Sequence, residues 1–239
     1  MEPIEMSEHI SKQFDLELEE LRRKVLKMGG LVESQLVDDM EALAAGDIAK
    51  LELVRAQDAQ VNALEVEIDD DVQRVIARRQ PAASDLRMVL AIVRLVTDLE
   101  RIGDEAKKIA KKGLRLSQSD TMIRPRFSDL RHMSAIAIDM LRKTLDAFAR
   151  LDISQTPDVV RADQQVDDEW RGTARQLITF MMEDPRTIST SLDVLFIAKS
   201  LERIGDHAKN IAEHVIFLVK GKDLRHSALD DIERETRGE

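Results

Sequence analysis

Two pairs of carboxylates carry the most chemistry in this sequence. Glu100 and Asp104 lie four residues apart, and Glu202 and Asp206 repeat that spacing 102 positions later. On a helix, a separation of four puts both side chains on one face, roughly 6 Å apart. Acidic pairs on two related helices suit divalent cations that take oxygen ligands, with Mg, Mn, Zn and Fe as candidates. Each pair sits inside a longer repeat. Asp98-Leu-Glu-Arg-Ile-Gly-Asp-Glu-Ala-Lys-Lys-Ile-Ala110 returns as Ser200-Leu-Glu-Arg-Ile-Gly-Asp-His-Ala-Lys-Asn-Ile-Ala212, with ten of thirteen positions identical. The alternative is a solvated helix face with local ion pairs such as Arg101 to Glu105. Retention of the acids in both halves favours the metal-site expectation, as do Gly103 and Gly205, since mid-helix glycine costs stability unless something packs close.

A second pair of acids is less obvious. Asp58 lies between Val54 and Val61 on an apolar stripe, and Asp163 lies between Val159 and Val166 at an offset of 105. An aspartate on such a stripe is costly unless it is paired or metal-bound. Asp58 and Asp163 are therefore expected to present further metal ligands, with Asn62 and Asp167 one turn on. The competing expectation is a pairing with Arg55 or Arg161. His207, next to Asp206, has Glu105 as its counterpart in the first copy and is expected at the surface. The other histidines form no metal-ligand spacing, and no Glu-x-x-His of the di-iron type occurs. No phosphate-binding loop, nucleophile elbow or zincin motif is present either. Arg78, Arg79 and Arg87 surround the turn Gln80–Ser84, either as an anion-holding patch or as a solvated turn.

Long helices must position these groups. Apolar residues recur at helical spacing over about Ser7–Ala45, Ile48–Arg79, Ser84 to near Gly113, Ser128–Arg150, Thr156–Met182 and Ser189–Lys220. Asp47 can cap the second helix, Ser84 the third, and Pro157 opens the fifth. Gln80-Pro81 and Asp184-Pro185 end their helices, because the residue before proline resists helical geometry. Gly29-Gly30 inside the first helix implies a close helix approach or a kink. The third helix is expected to fray at Gly113 and the sixth to stop at Gly221. The fold expected is all-α: a tandem duplication of an antiparallel three-helix bundle. Its parts are a first bundle over 1–116, a linker over 117–125, a second bundle over 126–222 and a polar tail over 223–239, whose last ten or so residues are not expected to take up regular structure.

Composition agrees. Only 3% of the 239 residues are aromatic, so the core must be built from Leu, Ile, Val, Met and Ala. Five prolines and nine glycines leave few turns, and the absence of cysteine excludes disulfides and thiolate metal sites. A net charge of −10 argues against nucleic acid or an anionic membrane as generic partner. The longest apolar runs, Val89–Val93 and Val215–Val219, are too short to insert into a membrane. The first ten residues contain no basic region followed by an apolar run, so no secretory signal is expected and the location expected is cytoplasmic.

Together with the two Leu-Glu-Arg-Ile-Gly-Asp segments, His9–Phe14, Met28-Gly-Gly30, Ala77–Leu86 and Val219-Lys-Gly221 make the chain resemble the PhoU family over nearly its whole length. The resemblance implies two three-helix bundles and a signalling adaptor that represses the phosphate-starvation response. Its implied partners are the ATP-binding subunit of the phosphate transporter and a sensor histidine kinase, and it implies a homodimer. It places the family's metal motif on Glu100 and Asp104 and on Glu202 and Asp206. Asp98 has only Ser200 opposite it in the second copy. The rival class is a carboxylate-based metal-dependent enzyme or metal store.

Overall fold

The computed structural model describes residues 12–118, 127–223 and 229–237. The expected start of the first helix at Ser7 and most of the linker lie outside them. Six long helices dominate: α1 (Lys12–Ala45), α2 (Ile48–Arg79), α3 (Ala83–Ser117), α4 (Phe127–Arg150), α5 (Thr156–Glu183) and α6 (Ile188–Lys220). Among the described residues there is no strand, and no helix is long and apolar enough to cross a membrane.

The helix ends follow local chemistry. Gly46 takes a positive φ of 69° where α1 stops, and the Asp47 side chain accepts the Lys50 backbone N–H at 3.0 Å to start α2. Gln80 closes α2 in the left-handed region immediately before Pro81. Gly221 does the same for α6, with a φ of 72°. Three expectations fail. Ser84 is no cap, because α3 begins at Ala83 without a side-chain cap. Nor does α3 fray at Gly113, which is buried within a helix continuing to Ser117. A Cβ on Gly113 would lie 2.6 Å from a Leu43 methyl, so the glycine serves close packing rather than termination. Finally, the polar tail contains a helix, α7 (Leu229–Arg237), which buries Ile232 and pairs Glu233 with Arg161 of α5 at 2.6 Å.

Helices α1–α3 pack together, as do α4–α6, and the two groups meet chiefly through α3 against α6 and secondarily through α1 against α4. Gly29 provides the close approach: a side chain there would overlap Leu145 of α4. The core is a continuous apolar cluster including Met28, Leu36, Leu51, Ile68, Leu99 and Ile102 in the first group and Met133, Phe148, Ile197, Leu201 and Ile204 in the second. Burying a side chain of this size contributes about 1.5–3 kcal/mol. One patch of the first core is polar. Gln35 and Asp39, a turn apart on α1, are almost wholly buried, and none of their side-chain N or O atoms has a partner. At the 105 offset the second lobe has Met140 and Thr144 instead.

Candidate functional site

In the first lobe α3 presents Glu100 and Asp104 towards α2, which contributes Asp58. Burial, then repulsion from Asp104 and Asp58, pushes the Glu100 carboxyl above its ordinary range. Glu65 shares this environment. Burial raises it first, followed by Glu100, Asp69 and Asp104. Asp58 itself is buried, and neither Arg55 nor Arg161 is the partner of its class. Instead the Lys107 ammonium donates to Asp58 Oδ2 at 2.6 Å, while Oδ1 is buried without a partner. Asn62 approaches the same carboxylate at 3.4 Å. Arg55 pairs with Glu52, and Arg161 with Asp158 and Glu233.

The second lobe repeats the arrangement with changes. Lys209 donates to Asp163 Oδ2 at 2.9 Å, the counterpart of the Lys107–Asp58 pair. Burial, then Glu202, Asp163 and Asp167, raises the Asp206 carboxyl. Glu202 is buried, with Oε1 2.5 Å from Lys199 and Oε2 unpartnered. Trp170 stands at the 105 offset from Glu65, and Lys199 lies over its ring at 4.8 Å.

The six acids expected from sequence thus fall into two groups of three, Glu100, Asp104 and Asp58, and Glu202, Asp206 and Asp163. Among the described residues no three acidic or histidine side chains converge closely enough to hold a metal as they stand. The donor chemistry nevertheless suits a hard divalent cation: all-oxygen ligands, mutual repulsion, and buried unpartnered oxygens on Asp58 and Glu202. Glu65 was not singled out in the sequence, although its place seven residues after Asp58 puts it on the same flank of α2. Glycine at 103 admits the neighbouring helix, since a Cβ would meet Val61 at 3.3 Å. The basic turn does not form one anion patch: Arg79 forks onto Glu17 at 2.9 and 2.7 Å, and Arg87 packs over Gly221.

A second polar group lies where α3 meets α6. His207, expected at the surface, is buried, and its Nδ1 is 2.9 Å from Asp98 Oδ1. His214 Nε2 lies 3.1 Å from Asp98 Oδ2, and Asn210 approaches Oδ1 at 3.4 Å. Burial alone would raise the Asp98 carboxyl, but the hydrogen bonds from His207 and His214 prevail and bring it down to about 2. Across the seam the equivalent positions exchange roles. Ser200 donates to Glu105 Oε2 at 2.8 Å, and Arg203 pairs with Glu105 Oε1 at 2.8 Å. The positions where the two repeats differ, Asp98/Ser200, Glu105/His207 and Lys108/Asn210, all take part in these contacts or adjoin them.

A family model described as "PhoU domain" matches residues 25–113 and 130–215. The phosphate-specific transport system accessory protein PhoU homolog of Pseudomonas putida is 47% identical over 98% of this chain and 91% of its own length. The phosphate-specific transport system accessory protein PhoU of Escherichia coli K12 is 44% identical over 100% of this chain and 98% of its own length. Among solved structures, PhoU from Pseudomonas aeruginosa superposes with a TM-score of 0.84 at 47% identity, covering 88% of this chain and 100% of that one. PhoU from Streptococcus pneumoniae gives 0.81 at 32% identity, covering 88% and 99%. With this agreement in sequence along almost the full length and in fold over 88% of it, the chain belongs to the PhoU family.

Proposed function

We propose that this protein is a non-enzymatic signalling adaptor of phosphate transport. It would repress the phosphate-starvation response by joining the transporter's ATP-binding subunit to a sensor histidine kinase on the cytoplasmic side of the membrane, and it would act as a homodimer. The observation that carries this reading is the full-length match to relatives named as accessory proteins of the phosphate-specific transport system. The site chemistry is compatible with it. The acidic groups pair with lysines, Asp58 with Lys107 and Asp163 with Lys209, an arrangement that favours holding charge over catalysis.

In this reading Glu100, Asp104 and Asp58 hold one divalent cation, and Glu202, Asp206 and Asp163 hold another. A bound cation would supply positive charge to carboxylates that now repel one another, fixing α2 against α3 and α5 against α6. Lys107 and Lys209 already bring a single charge to each group. Oxygen-only ligation favours Mg or Mn over Zn or Fe.

The test is genetic and biochemical. Cells lacking the protein should express a phosphate-starvation reporter even in high phosphate, and the parent gene should silence it. Purified parent should retain the ATP-binding subunit and the kinase's cytoplasmic part in a pull-down. Turnover of a phosphate ester by purified protein with Mn²⁺, or retention of neither partner, would overturn the adaptor assignment. Parent protein should carry divalent metal that Glu100→Ala/Glu202→Ala lacks; equal metal content in both would remove the metal assignment alone.

A further inference from the structure

The solvent flank of the α3–α6 seam is basic, although the chain as a whole carries −10. Arg94, Arg101, Lys108 and Arg115 recur every seventh residue along α3, a spacing that keeps them on one line of the helix. The contacts of Arg94, Lys108 and Arg115 place this line beside α6. Arg94 lies over the Phe217 ring at 5.3 Å, and Lys108 shares Glu105 with Arg203 of α6. Arg115 lies 4.0 Å from Asp193 of α6, whose main partner is Lys112 at 2.7 Å. Lys112 in turn stacks on Phe196 at 4.4 Å.

The carboxylates along this seam are already engaged. Asp98 is held by two histidines, Glu105 serves two cations and a serine, and Asp193 faces two cations. Arg94 and Arg101 make no ion pair with any described residue. For Arg101 the cause is visible in the repeat. Its counterpart Arg203 pairs with Glu105, whereas the residue equivalent to Glu105 in the other copy is His207, already occupied by Asp98.

Apolar side chains complete the stripe. Leu90 is 42% exposed at one end, while Leu192 and Phe196 are 39% and 51% exposed at the other. There they line a groove of about 450 Å³ with Lys112 and Arg115. From Leu90 to Arg115 the stripe runs roughly 38 Å at the helical rise per residue. We infer that this stripe is a docking surface for an acidic amphipathic helix of a partner protein, whose apolar face meets the exposed leucines and Phe196 and whose carboxylates meet Arg94 and Arg101.

Charge selects that occupant. A second copy related by two-fold symmetry would set these cations against themselves, because such an interface presents the same patch twice. A broad anionic bilayer would also meet the flanking groups around Asp104 and Asp206, which repel it. A single helix is about as wide as the stripe, and screening over about 8 Å limits what it feels of the acids beyond. Cations seated on aromatic rings are already oriented, which lowers the ordering cost of binding.

The proposal rests on the adaptor reading and names its contact surface. The probe is a fluorescein-labelled helical peptide of about 21 residues with leucines on one face flanked by glutamates, read by fluorescence anisotropy. Parent protein should bind it, and Arg94→Glu/Arg101→Glu should weaken binding at least tenfold, with Arg94→Gln/Arg101→Gln as the milder variant if the reversal does not fold. Arg55→Glu, a surface change on α2, should alter binding less than twofold, and a lysine-for-glutamate peptide should not bind. Equal binding by parent and the Gln or Glu variants would overturn the proposal. So would a preference for vesicles containing 30% phosphatidylglycerol over the peptide. In cells, loss of repression in the Arg94/Arg101 variant supports the surface. Full repression by that variant, in a strain where deletion derepresses the reporter, sinks the surface and leaves the adaptor reading intact. Failure of the deletion to derepress sinks the adaptor reading instead.

Discussion

Asp98→Asn should expose how much the buried histidine pair contributes to joining the lobes. In the folded protein the Asp98 carboxyl is held at about 2, below the 3.8 of an ordinary aspartate. At roughly 1.4 kcal/mol per tenfold change in proton affinity, that lowering corresponds to about 2–3 kcal/mol. Asp98 is 5% exposed, so solvent screening removes little of this. Because the folded-state carboxyl titrates below the unfolded one, its contribution is complete above about pH 4 and is lost as the pH falls towards 2. Urea unfolding of parent and Asp98→Asn should therefore differ by about 2–3 kcal/mol at pH 7 and at pH 5, and by roughly half that at pH 3. A gap below about 0.5 kcal/mol at pH 7, or one unchanged between pH 7 and pH 3, would refute the reasoning.

Two further outcomes follow from the other buried acids. Asp39, raised well above its ordinary value by burial and then by Asp38, penalises the fold more as pH rises. Asp39→Thr, which installs the second lobe's residue, should stabilise the protein by about 1–3 kcal/mol at pH 7, with the gain shrinking towards pH 4; denaturant midpoints across that range test it, and a loss of stability at pH 7 would contradict it. Lys107→Met leaves Asp58 without its ammonium and should cost about 1–2 kcal/mol without added metal, since the lysine is partly exposed. Millimolar Mn²⁺ should then raise the melting temperature of that variant more than that of the parent, and an equal shift in both would count against a cation at this site.

Much of this architecture was legible because bundle helices advertise themselves. The stripe through Leu95, Leu99, Ile102, Ala106 and Ile109 on α3 needs only helical periodicity, and all five are buried. The acid groups were legible for the same reason, since spacing fixes which residues share a face. What spacing cannot supply is the identity of the neighbour. Lys107 and Lys209 lie in the repeats, yet only packing shows that they reach Asp58 and Asp163 rather than solvent. His207 was misplaced because a polar residue beside a repeated acid pair looks solvated until a second helix covers it. The clue was present in the mismatches: Asp98 with His207 and Asn210, and Ser200 with Glu105, meet across the seam, and Lys108 adjoins the second of these contacts. The tail helix escaped because it is short, and one buried residue such as Ile232 offers no periodic run to recognise.

The crossed pairs at the seam also bear on why the two bundles share one chain. In a symmetric dimer of single bundles, any residue at position 98 would meet the residue at position 105 of its mate, and the same bond would occur twice. Whatever improved one contact would be imposed on the other. Joining the copies end to end removes that constraint, and here one contact became aspartate with histidine while its twin became serine with glutamate. Each contact keeps one carboxylate, but it comes from opposite ends of the pair. The result is a molecule with near-symmetric shape and directional chemistry, able to present different ends of the same seam to different neighbours.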